Sequence, residues 1–128
     1  MGIWKKLFGG DTESDVSFEQ ITDADFKAQL AAIDKPVMLF LWSNTCPYCR
    51  KMAHNVRSVL GRHRDRIVGL HANAGEVPAI AGALGLRGVP ATAFFHRGKL
   101  VELVGGFRPE DHLEAVIATR FGLPPATD

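Results

Sequence analysis

A chain of 128 residues is long enough to form one domain with a hydrophobic core that needs no disulfide framework. Its hydrophobic fraction of 46% and charged fraction of 23% are typical of a globular protein in water. A formal net charge of +1 provides no overall field that would attract nucleic acid or an anionic membrane. The longest apolar run, PVMLFLW, has seven residues, whereas a membrane-spanning helix needs roughly 20. We therefore expect one soluble domain without a membrane span and without bound nucleic acid.

Residues 1–16 are interpreted as an N-terminal extension or linker. The first ten, MGIWKKLFGG, contain lysines but no long apolar segment and no cleavage site, so they do not have the pattern of a secretory signal. The next part, GGDTESDV, is polar and rich in glycine. The expected location is the cytoplasm; a signal peptide removed from the chain would place the protein in the periplasm instead.

The domain is predicted to span residues 17–122. A short strand, SFEQI, precedes a helix from Thr22 to about Ala32, with the threonine as its cap. The uninterrupted apolar run PVMLFLW predicts a strand that helices cover on both faces. A second helix is predicted from about Pro47 to Leu60, with Gly61 ending it.

The second half of the domain predicts a mixed sheet. RIVGLHA is the next strand, and VPAIAGAL is a short helix that ends at Gly85. ATAFFH and KLVELVG form a hairpin around the turn Arg97-Gly98, and a last helix extends over residues 108–120. Residues 123–128 form a tail. Strands that alternate with helices and then give way to a hairpin and a helix predict an α/β domain with a mixed β-sheet.

Cys46 and Cys49 are the only two cysteines, and three roles are possible for them. Structural zinc needs four ligands, and the chain has no second thiol pair, so we expect no bound metal. A structural disulfide that closes so short a loop removes little entropy from the unfolded chain. A redox role fits better, because a helix N-terminus stabilises a thiolate, and Cys46 is predicted to lie there. Cys46 would then attack, and Cys49 would resolve the mixed disulfide.

Two segments of the chain resemble the thioredoxin superfamily. The first is FLWSNTCPYC, an apolar strand with a tryptophan four residues before the first cysteine of the pair. The second is LGLRGVPATAFFHRGKLVELVGGF, which is similar to the thioredoxin stretch of loop, cis-proline and hairpin. The resemblance extends from about Phe18 to Phe121. It implies a thioredoxin-like fold, with a central mixed β-sheet flanked by helices, and a thiol–disulfide oxidoreductase activity.

The resemblance also implies which residues surround the sulfur atoms. Pro90 is expected to be the cis-proline, and Val89 to offer its backbone to an extended substrate peptide. Trp42 is expected to form a wall of the active site, and Pro47 and Tyr48 to contact the substrate. Protein disulfides are the expected substrates, with electrons supplied by a reductase or a small thiol. No cofactor is expected, and we expect a monomer.

The active site also departs from thioredoxins. The active-site sequence of thioredoxins is similar to WCGPC, and they carry a buried aspartate six residues before the first cysteine. This chain has Phe40 at that position. Without that carboxylate, deprotonation of Cys49 is expected to be slow. The central dipeptide Pro47-Tyr48 is similar to glutaredoxins, so a glutathione-coupled reductase remains an alternative. A non-catalytic adaptor that binds a peptide or a metal is a further one.

Several charged residues near the cysteine pair also bear on its chemistry. Arg50, Lys51 and Arg87 would raise the local potential and favour a thiolate. A solvated basic surface explains these three residues equally well. Glu102 on the hairpin is the first candidate for an acid that takes the proton of Cys49 in place of the missing aspartate.

Overall fold

The computed structural model describes residues 18–123, so the predicted N-terminal extension and most of the predicted tail lie outside the described residues. Within this range, no helix has the length and apolar character needed to cross a bilayer. The described elements are β1 (Phe18–Gln20), α1 (Phe26–Ala31), β2 (Val37–Trp42), α2 (Cys49–Arg62), β3 (Val68–Asn73), a 3-10 turn (Ala74–Glu76), α3 (Pro78–Leu84), β4 (Ala91–His96), β5 (Lys99–Gly105), α4 (Glu110–Val116) and a π-helical turn (Ile117–Phe121).

The five strands form one sheet in the order β1-β3-β2-β4-β5. β1, β3 and β2 are parallel, whereas β4 is antiparallel to both β2 and β5. All six residues of the central strand β2 are buried, as its uninterrupted apolar sequence predicts. The predicted mixed sheet is therefore confirmed.

Both faces of the sheet carry a hydrophobic core. Side chains of β2 alternate between the faces, so Met38, Phe40 and Trp42 pack against α2 and α4. Leu39 and Leu41 point to the opposite face and pack against residues of α1 and α3. The cysteine pair follows β2 and so lies at the end of the most buried strand.

The prediction that Thr22 caps the first helix is wrong. α1 begins four residues later, at Phe26. The carboxylate of Asp23 instead accepts hydrogen bonds from the backbone N–H groups of Ala79 (2.8 Å) and Ile80 (3.0 Å) in α3. These two bonds tie the segment before α1 to another helix, and the segment forms a turn.

The prediction that Gly61 ends the second helix is also wrong. α2 continues to Arg62, and His63 follows as its C-terminal cap. The side chains of both residues bind Glu114 of α4, at 3.0 Å from the Arg62 Nε and 2.8 Å from the His63 Nε2. Arg62 also pairs with Glu110 at 2.9 Å. The contact with α4 fixes where α2 ends.

The elements of the second half follow the predictions more closely. α3 has Pro78 at its first position and ends at Gly85, whose φ of 66° is left-handed. The β4–β5 hairpin turns at Arg97 and Gly98, which both have positive φ. A Cβ atom on Gly98 would lie 3.1 Å from the Cα of Ala31, so the turn favours glycine for space as well as conformation. The last helix begins later than predicted and finishes in the π-helical turn.

The contact between α2 and α4 gives a stability prediction. Glu114→Ala should lower the free energy of unfolding by about 1–3 kcal/mol, because it leaves the buried His63 ring without this partner and removes the link to Arg62. Glu102→Ala is the matched control, since it removes only an exposed pair with Arg120, and its cost should stay below about 1 kcal/mol. Urea unfolding of the oxidised proteins measures both costs, and equal losses would contradict the prediction.

Candidate active site

The two cysteines form a disulfide, with their Cα atoms 5.4 Å apart. Cys46 follows β2 after three residues, and α2 begins at Cys49 rather than at Pro47 as predicted. The reason is a turn over residues 46–48, in which the backbone N–H of Cys49 donates to the Cys46 carbonyl at 3.4 Å. Cys46 therefore lies just before the positive end of the α2 dipole.

The two sulfur-bearing residues differ in burial. Cys46 is half-buried, whereas Cys49 is only 1% exposed and belongs to the core cluster with Trp42 and Met52. An incoming sulfur atom therefore has access to Cys46 and not to Cys49. This asymmetry is what a sequential attack and resolution require.

A groove of about 470 Å³ lies between the loop before β4 and the end of β5. Val89 and Pro90 line it, together with Arg87 and the glycines at 105 and 106. The peptide bond between Val89 and Pro90 is cis. The Pro90 carbonyl accepts a hydrogen bond of 2.8 Å from the Gly106 N–H, which joins the two walls of the groove.

An aromatic pair lies at the start of α2. Tyr48 is 55% exposed, and its ring centroid is 6.1 Å from that of Phe107, which is 42% exposed. The Nζ atom of Lys51 lies 5.9 Å from the Tyr48 ring centroid. Pro47 and Arg50 beside them are also exposed. Phe107 was not predicted as a site residue; the only signal was an aromatic residue directly after two glycines at the end of β5.

Trp42 lies beneath the site rather than at its surface. Its side chain is fully buried, so Trp42 supports the active site from the core instead of forming the exposed wall that was expected. The indole Nε1–H donates to the Nδ1 of His71 at 3.1 Å. Burial, with a smaller contribution from the charge of Arg57, lowers the pKa of His71 to about 3. His71 was not predicted to have a role; the signal was a polar residue inside an apolar strand.

Phe40 occupies the position at which thioredoxins carry a buried aspartate. It is fully buried, and its neighbours across the sheet are His71 on β3 and Thr92 on β4. Among residues 18–123 no Asp or Glu is buried. At neutral pH His71 is a weak base, because its pKa is near 3, and the Thr92 hydroxyl is not a base. The sheet beneath the disulfide therefore holds no carboxylate that could take a proton from Cys49.

Glu102, which was predicted to accept the proton of Cys49 in place of the missing aspartate, pairs with an arginine instead. Its Oε1 accepts from the Arg120 Nε at 2.7 Å, and it pairs with Phe94 in the sheet register, away from the first residues of β4. No group of three or more His, Cys, Asp or Glu residues that could hold a metal ion is found in the described part of the chain.

Comparison with known proteins identifies the family. The thioredoxin family model matches residues 17–119. The chain belongs to the thioredoxin family. It is 30% identical to a thioredoxin of Porphyra purpurea over 102 residues, which are 80% of this chain and 95% of that relative. It is 31% identical to a thioredoxin of Alicyclobacillus acidocaldarius over 98 residues, 77% of this chain and 92% of that relative.

Solved thioredoxin structures have the same fold. A mutant thioredoxin from Halobacterium salinarum superposes with a TM-score of 0.74 at 23% identity, covering 91% of this chain and all of that one. A thioredoxin of Malassezia sympodialis gives 0.73 at 24% identity, covering 81% of this chain and 90% of that one. The fold, the sequence relatives and the cysteine disulfide together make this thioredoxin-family protein a thiol–disulfide oxidoreductase.

The buried His71 gives a pH prediction. An unfolded chain binds a proton at this residue near pH 6.5, whereas the folded chain does so only near pH 3. The contribution of His71 to the free energy of unfolding is therefore fully present above pH 6.5. It is lost as the pH falls toward 3, by up to about 1.4 kcal/mol per pH unit. In His71→Asn, which keeps an acceptor for the Trp42 indole, this part of the pH slope should disappear.

Urea unfolding at pH 7, 6, 5 and 4 measures the slope. The matched control is His112→Asn, because His112 is exposed on α4. This control should retain the native slope. Identical slopes for the native chain and His71→Asn would show that the buried ring does not exclude the proton.

Proposed function

We propose that this protein exchanges disulfides of other proteins, with Cys46 as the attacking residue and Cys49 as the resolving residue. The observation that supports these roles is the difference in burial between the two cysteines. The Cys46 thiolate attacks a substrate disulfide, forms a mixed disulfide and releases one substrate thiolate. The Cys49 thiolate then attacks the Cys46 sulfur and releases the second substrate thiolate. The substrate gains two electrons, and the Cys46–Cys49 pair is oxidised.

The attacking role of Cys46 has an electrostatic basis. The residue lies three residues before α2 begins, next to the helix N-terminus, where unpaired backbone N–H groups and the helix dipole stabilise a negative charge. The exposed side chains of Arg50 and Lys51 lie in the first turn of the same helix and add positive potential. Both effects stabilise the Cys46 thiolate relative to its thiol.

An extended substrate segment is proposed to lie along the groove beside Pro90. Val89 is half-buried at the groove wall, so its backbone is close to the surface and can pair with an extended chain. Pro47 and Tyr48 would contact the same segment from the opposite side of the disulfide, because both are exposed. Trp42 supports this surface from below.

We further propose that the protein is a monomer and works in the cytoplasm, where thiol pools keep cysteines reduced. A reductase or a small thiol would return two electrons to the Cys46–Cys49 disulfide. No cofactor is required, because both electrons move between sulfur atoms.

Insulin reduction tests the function and the two roles together. With dithiothreitol as the electron donor, the native chain should catalyse reduction of the insulin disulfides without glutathione. With no donor present, the pre-reduced Cys49→Ser variant should attack but fail to release its substrate. This variant should therefore accumulate as a covalent mixed disulfide that dithiothreitol dissolves. Cys46→Ser should neither turn over nor trap insulin, because the remaining thiol is buried.

The readouts are the turnover rate and non-reducing gel electrophoresis. Alkylation of the reduced native chain, followed by mass spectrometry, should modify Cys46 first. Faster alkylation of Cys49 would reverse the two roles. Strict dependence on glutathione would favour a glutaredoxin-like reductase, which the Pro47-Tyr48 dipeptide resembles, and no turnover at all would favour a binding module.

A further inference from the structure

Three surface segments around the disulfide carry positive charge only. They are residues 43–51, 85–90 and 105–109, and none of them contains Asp or Glu. Their cations, Arg50, Lys51, Arg87 and Arg108, are all exposed, and we call these four residues the basic rim. The formal net charge of the whole chain is only +1, so the charge is concentrated at this edge.

The sheet register brings the three segments together. Leu41 at the end of β2 pairs with Ala91 at the start of β4, and Ala91 pairs with Gly105 at the end of β5. The loops that follow β2 and β5 and the loop that precedes β4 therefore leave the sheet at the same edge. The nearest acidic residue that follows in the chain, Glu110, is already paired with Arg62 at 2.9 Å.

An exposed apolar patch lies inside the basic rim. Three large hydrophobic side chains are exposed among residues 18–123, and two of them, Tyr48 and Phe107, form the aromatic pair beside the disulfide. The backbone on both sides of Phe107 is fixed. The N–H of Gly106 donates to Pro90, and residue 108 is held by Met52 and Asn55 of α2.

We propose that this surface selects protein substrates whose reactive disulfide lies in an extended acidic segment with a large apolar residue next to one cysteine. This inference rests on the proposed function and specifies its substrate class. Carboxylates of the segment would lie against the basic rim, which accelerates association through complementary charge. The large apolar residue would pack on Tyr48 and Phe107, which are already positioned and therefore lose little entropy on binding.

Synthetic peptides with one disulfide test the charge preference. One peptide carries Glu beside the cysteines, and its isosteric partner carries Gln at the same positions. The reduced native chain should reduce the acidic peptide about tenfold faster than the neutral one at low ionic strength. In 0.5 M NaCl the ratio of the two rate constants should approach one.

Charge reversal locates the effect on the surface. In Arg87→Glu/Arg108→Glu the ratio of acidic to neutral rate constants should fall to one or below. The matched control Arg64→Glu/Arg66→Glu makes the same change in net charge on exposed residues between α2 and β3, at the opposite edge of the sheet. This control should keep the native ratio. An equal fall in both double variants would show a general charge effect and overturn the proposal.

A second pair of variants tests the apolar contact. The native chain should prefer a peptide with Phe next to one cysteine over the same peptide with Ala, and Phe107→Ala should lose this preference. Leu100→Ala is the matched control, because Leu100 is also 42% exposed and lies on the hairpin. Loss of the preference in the control as well would contradict the contact.

The outcomes separate this inference from the proposed function. Equal rates for the acidic and neutral peptides overturn the substrate class while the insulin activity remains. Reduction of glutathione disulfide, with none of the protein or peptide disulfides reduced, overturns both. A preference for acidic peptides that only the variants of the basic rim abolish supports the proposal.

Discussion

The complete burial of β2 is the constraint on which the rest of the structure depends. Its six residues are buried on both faces, and it pairs with β3 on one side and β4 on the other. An ionised side chain in such a strand is costly unless it has a partner, and β2 carries none. The cysteine pair therefore lies just beyond the C-terminal end of β2, above apolar side chains that include Phe40 and Trp42. In the proposed mechanism, the half-buried Cys46 meets the substrate, and the buried Cys49 reacts from within the core.

Much of this fold follows from local sequence. An uninterrupted apolar run predicts a strand covered on both faces, and the positions of Pro78, Gly85 and Gly98 mark a helix start, a helix end and a tight turn. The element ends that were predicted wrongly depend on contacts between distant parts of the chain. α1 begins late because Asp23 binds the start of α3, and α2 continues past Gly61 because its last residues bind α4. Neither partner can be identified from the neighbouring residues.

In the candidate site, too, some features follow from local sequence and others depend on contacts between distant residues. The cysteine pair and the Val89-Pro90 segment are visible in the sequence because their spacing and context are specific to this fold. Phe107 is not, because its contact with Tyr48 depends on how the loop after β5 packs on α2. The position of Trp42 was misjudged because the alternation along β2 turns its indole toward the core, onto the face shared with Phe40. The same alternation places the indole where its N–H can donate a hydrogen bond to the buried His71 ring.

The pH dependence of mixed-disulfide resolution tests most directly the claim that the site works without a buried carboxylate. Stopped-flow measurement between pH 6 and 9 should give slow resolution at pH 7 that accelerates toward the pKa of an ordinary thiol, roughly 8.5. Phe40→Asp should be faster at pH 7, at a cost in stability of several kcal/mol, while Phe40→Leu should keep the native profile. Fast resolution at pH 7 that does not change up to pH 9 in the native chain would contradict the account, because another group would then accept the proton of Cys49.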